Sequence, residues 1–127
     1  MLAAGGFESA LVNVHQRLGF ALVVILLAGA VAAALAIRGQ RFLPTVRAYL
    51  WLAFAAITVQ AALGLAMLVL GGRPSQGLHL LYGPLTFVTL PATALLSRSG
   101  TGRREAGMLA VGFVLAFLFS IRALGTG

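Results

Sequence analysis

Cysteine is absent from this chain, and so is lysine. Without a thiol there is no disulfide, no thiolate metal site, no iron–sulfur cluster and no cysteine nucleophile. Charge is scarce as well: 9% of the 127 residues are charged, every cation is an arginine, and the acids are Glu8 and Glu105. Ordinary soluble domains carry about a quarter charged residues, so a soluble globular fold is excluded. Apolar residues fill the deficit, at 61% of the chain with a mean hydropathy of +1.04.

That apolar content is gathered into four charge-free runs, Leu18 to Ile37, Ala48 to Gly72, Leu78 to Ser97 and Ala106 to Ile121, set apart by short polar or Gly/Pro-bearing breaks. Runs of this kind cross a bilayer as helices. The expected fold is all-α, one four-helix membrane domain over residues 1–127 with spans at about 11–37, 48–71, 78–97 and 106–122. The fourth run is short, and Arg122 near its end can reach the interface by snorkelling. Arg17 ahead of the first run resembles the start of a secretory signal, but the apolar stretch is longer than a signal core and cleavage after it would discard His15.

The net charge of +7 needs no nucleic-acid partner. Arg38, Arg41 and Arg47 lie between the first and second spans, and Arg98, Arg103 and Arg104 between the third and fourth. Loops rich in arginine stay in the cytoplasm, which predicts both termini outside, together with Arg17, Arg73 and Arg122. Small residues at helical spacing, Gly29 and Ala33, then Gly112, Ala116 and Ser120, allow close helix approach and predict a compact bundle.

Ionisable side chains at or inside a span are costly and point to function. The chain has two histidines, His15 opening the first span and His79 opening the third. Parallel spans put both imidazoles near the outer surface, with a depth mismatch of roughly 6 Å at the usual helical rise. Each is followed four residues on by a glycine, Gly19 and Gly83, on the same helix face. Two imidazoles on facing helices, each beside a missing side chain, suit a planar macrocycle whose iron takes one nitrogen from each side. Arg17 and Arg73 are on the side where the carboxylates of such a group emerge. Zinc is a poor match, because it wants three or four ligands. Gln60, in the second span with Gly64 one turn on, fits an interhelical hydrogen bond or a contact to a cofactor edge. Thr86 and Thr93 share the face of His79, Met67 is read as packing, and Tyr49 and Trp51 as interfacial anchors.

The runs Val14-His15-Gln16-Arg17-Leu18-Gly19, Val59-Gln60-Ala61-Ala62-Leu63-Gly64 and Leu78-His79-Leu80-Leu81 resemble one four-helix half of the haem A synthase family of cytochrome oxidase assembly proteins. The resemblance spans about the whole chain. It implies that His15 and His79 are axial iron ligands of a b-type haem, and that the protein sits in the lipid bilayer of a prokaryotic inner membrane. A half-length member is expected to work as a homodimer or within a larger respiratory complex. Where the family's catalytic half has a glutamate one turn before the first histidine, this chain has Val12; its nearest acid is Glu8, and the cysteine pair frequent in the family's outer loops is absent. Three functions follow as expectations. The first is a membrane cytochrome serving electron transfer, haem handling or oxidase assembly. The second is a dimeric haem A synthase-like oxidoreductase in which Glu8 supplies the acid. The third is a haem-free structural subunit of a membrane complex.

Overall fold

The computed structural model describes residues 2–127, with side-chain surroundings from Gly5 onward. It is all-helical, and among the described residues no strand forms. Helix α1 runs Leu2–Arg38, a single 3-10 turn at Gln40–Phe42 leads into α2 at Leu43–Val69, and α3 (His79–Ser97) and α4 (Arg103–Thr126) follow. All four are long and apolar enough to cross a membrane, and the chain is a membrane protein of four spanning helices. No water reaches the backbone in a bilayer, so each segment satisfies its own N–H and C=O groups as helix.

Local chemistry sets the breaks. Gly39 interrupts α1 after Arg38, a cation in the last turn where the helix dipole favours one, and Pro44 stands in the first turn of α2 where its missing N–H is harmless. Gly71 (φ 93°) and Gly102 (φ 57°) take the left-handed backbone that closes α2 and opens α4. Pro84 and Pro91 lie inside α3 without ending it. In the same helix the hydroxyls of Thr86, Thr89 and Thr93 each donate to the carbonyl four residues back, so these buried polar groups are satisfied within α3.

The first helix is longer than its apolar run. It begins at Leu2, nine residues before the expected boundary, and at 37 residues extends about 55 Å against a hydrocarbon core of about 30 Å. Adding residues to a formed helix costs little, and neither Gly5-Gly6 nor Glu8 is enough to stop it. Residues 5–14 are exposed apart from half-buried Leu11. The other boundaries shift less: α2 starts at Leu43 and α4 continues to Thr126.

Helices α1 and α3 each pack against both α2 and α4, so α1 and α3 stand diagonally across the bundle. The core is built from Leu22, Leu26 and Ala33 of α1, Leu50 and Ala53 of α2, Leu90 of α3, and Leu109, Phe113 and Ala116 of α4. Small residues set the spacing. A Cβ on Gly29 would collide with the ring of Phe113, and one on Gly112 would collide with the side chain of Thr93. Gly29 and Gly112 are thus where α1 meets α4 and α3 meets α4. The outward surface is as apolar as the core, with Phe20, Val24, Leu52, Leu65 and Leu95 all more than 60% exposed. In lipid that is the solvated face.

Candidate functional site

The diagonal arrangement brings the two histidines together. His15, well inside α1, and His79, the first residue of α3, have ring centres 6.1 Å apart with planes inclined at 73°. Both are half-buried. His79 Nδ1 lies 2.7 Å from the carbonyl oxygen of Ala123 on α4. A carbonyl only accepts, so Nδ1 donates the hydrogen, and in the neutral ring the lone pair is on Nε2.

The loop before α3 is tied down at the same end. Ser75 Oγ donates to the carbonyl oxygens of Thr126 (3.3 Å) and Gly127 (2.7 Å), and Gln76 N donates to that of Thr126 (3.1 Å). Gly127 lies against the ring, since a Cβ there would come 3.0 Å from His79 Cε1. The α2–α3 loop and the last turn of α4 therefore close over His79 together.

His15 is held from α2. Gln60 Nε2 donates to the backbone carbonyl of His15 at 2.8 Å, the interhelical hydrogen bond foreseen for this residue. One turn on, Gly64 lies beneath the imidazole, where a Cβ would stand 3.3 Å from Cε1. The missing side chain beside His15 is thus on α2, not at Gly19. The space at Gly19 is filled: a Cβ there would meet Gln60 Nε2 and Leu124 Cδ1, each at 3.3 Å. Sequence spacing put Gly19 on the correct face but could not show that an amide and a leucine occupy the gap. Gly83, one turn beyond His79, has no atom within 4 Å of where its Cβ would be, so the gap there is open.

The arginines named for carboxylate binding are exposed. Arg17 Nε donates to Asn13 Oδ1 at 3.0 Å, and Arg73 Nη1 to its neighbour's carbonyl, Gly72 O, at 2.8 Å. Arg122 packs its guanidinium over the ring of Tyr82 at 5.5 Å. Glu8 is exposed, two turns before His15. Thr86 and Thr93 are buried but spend their hydroxyls on their own helix.

Two features escaped the sequence reading. Arg47, counted as a loop charge, forms a two-pronged ion pair with buried Glu105 (2.5 and 2.6 Å) that joins α2 to α4 at the end opposite the histidines. The signal available was that Glu105 is the one acid in a region of six arginines. Tyr49, read as an interfacial anchor, instead donates its hydroxyl to the Ile25 carbonyl of α1 at 2.7 Å.

Among the described residues no group of three or more His, Cys, Asp or Glu is placed to hold a metal ion. Two imidazoles alone match a metal whose other ligands arrive with it, as in a macrocycle. A metal about 2 Å from one nitrogen of each ring would separate the ring centres by roughly 6 Å. Fixing the proton of His79 on Nδ1 leaves Nε2 as its ligating atom, which is the usual arrangement of a metal-bound histidine. No family model matches the chain, and it matches no curated protein and no solved structure.

Proposed function

We propose that the protein is a membrane cytochrome, holding one b-type haem between His15 and His79 and serving electron transfer, haem handling or oxidase assembly. One observation carries the reading: two diagonal helices present imidazoles whose centres are 6.1 Å apart, one with its Nδ1 proton already placed on a carbonyl. The resemblance of the segments around His15, Gln60 and His79 to a haem A synthase half points the same way. Bound haem supplies a one-electron couple. The chain's own residues supply the rest: His15 and His79 donate the axial nitrogens, Gly64 lets the first ring lie close against α2, and the Ala123 carbonyl orients the second. Arg17 and Arg73, both exposed at that end, are available to the carboxylates of the group. The helix ends and connections that carry Arg38, Arg41, Arg47, Arg98, Arg103 and Arg104 are cytoplasmic in this reading, in a prokaryotic plasma membrane, with the histidines toward the outer face.

The test is a reduced-minus-oxidised absorption spectrum, with extraction and identification of the haem, on detergent-purified protein expressed with added haem precursor. Sharp b-type bands with one haem per chain are expected. A featureless spectrum from folded protein overturns the proposal and leaves a haem-free membrane subunit.

A further inference from the structure

Among the described residues, two buried side-chain atoms lack any hydrogen-bond partner, and they belong to touching residues: His15 Nδ1 and Gln60 Oε1. Unmet polar atoms in a membrane bundle are costly, and two of them on residues already joined by a hydrogen bond call for a physical reason. Their chemistry is complementary. An amide oxygen only accepts, whereas an imidazole that gives Nε2 to a metal keeps its proton on Nδ1 and becomes a donor there. The amide is already oriented, because Gln60 Nε2 is committed to the His15 carbonyl and fixes which end of the side chain is oxygen.

We infer that Gln60 is the positioning partner of His15, its Oε1 accepting the Nδ1 proton directly or through one buried water once His15 ligates iron. The inference rests on the haem reading above. It completes a pattern half of which is visible: His79 places its Nδ1 proton on Ala123 O of α4, and His15 places its own on Gln60 of α2. Each ligand is then steered by a neighbouring helix, and its ring is kept from turning about the iron–nitrogen bond. Gln60 touches neither iron nor macrocycle in this role. It acts through His15, on the electron-donating strength of the imidazole and on how firmly haem is retained.

The experiment compares wild type, Gln60→Leu and Gln60→Glu, each purified with haem and checked for helicity and monodispersity. An accepting partner makes the imidazole a stronger donor and favours ferric iron. The midpoint potential is therefore expected to rise in Gln60→Leu and to fall in Gln60→Glu, with wild type between them. A tenfold change in the ferric-to-ferrous binding ratio corresponds to about 59 mV for this one-electron couple. Haem transfer to a scavenging apoglobin is expected to be about tenfold faster from Gln60→Leu than from wild type, with the carboxyl variant restoring retention. A merely structural Gln60 would change stability without ordering the potentials. Equal potentials in the haem-loaded variants overturn the inference and leave the proposed function standing, whereas a wild type that takes up no haem removes both. If Gln60→Leu does not fold, the potential of Gln60→Glu, which keeps length and polarity, decides alone.

Discussion

Gly64 and Gly83 bracket the histidine pair in opposite ways, one pressed against an imidazole and the other facing open space. Gly64→Leu drives a branched side chain into His15, so a haem-to-protein ratio well below that of wild type is expected, with helicity retained by circular dichroism. At Gly83 a Cβ meets nothing within 4 Å beyond its own chain neighbours. Pro84 follows, and a proline ring crowds the Cβ of a helical residue before it, so Gly83→Leu is expected to keep its helicity with a slightly lower thermal midpoint. If the open space beside His79 receives the macrocycle, the same variant also loses haem. Full haem content in both glycine variants would show that the group does not lie on the faces that Gly64 and Gly83 present.

Helix packing makes sharper demands than helix formation. Gly112 lets Thr93 of α3 against α4, and any Cβ at that position collides with it. Gly112→Val is expected to lower stability by about 1–3 kcal/mol, the usual range for overpacking a tight contact, measured as a fall in the thermal midpoint in detergent. Arg47→Ala leaves the Glu105 carboxylate, in the first turn of α4, buried without its partner. Half of Arg47 is exposed to screening solvent, which tempers the loss to about 1–2 kcal/mol, and adding Glu105→Ala is expected to recover part of it in a double-mutant cycle. The helices were legible because charge-free runs between Arg and Gly/Pro breaks are unambiguous in a chain this apolar. Their faces were harder to read, since Phe20 and Leu52 point to lipid while Leu26 and Leu50 point inward, and hydropathy cannot tell these apart. Small residues could: Gly29 and Gly112 mark the closest contacts. Both histidines were legible as ionisable residues at span starts. Their supports were not, because the filling of Gly19 by Gln60 and Leu124 depends on how helices far apart in sequence rotate against one another.

The whole molecule is a bundle with both histidines at one end and most of its arginines at the other. His15 and His79 share one end with exposed Arg17 and Arg73, while Arg38, Arg41, Arg98, Arg103 and Arg104 belong to the ends joined by the α1–α2 and α3–α4 connections. The absence of cysteine makes sidedness directly measurable. Ser75→Cys is expected to react with a membrane-impermeant maleimide in intact cells, and Ser99→Cys only after the membrane is opened; the reverse pattern would place the histidines on the cytoplasmic side. The most direct test of the central claim is the absorption spectrum of the ferric and ferrous purified protein beside His15→Ala and His79→Ala. Two axial histidines predict that either substitution abolishes the low-spin spectrum of the wild type, and a low-spin spectrum retained in either variant would contradict ligation by this pair.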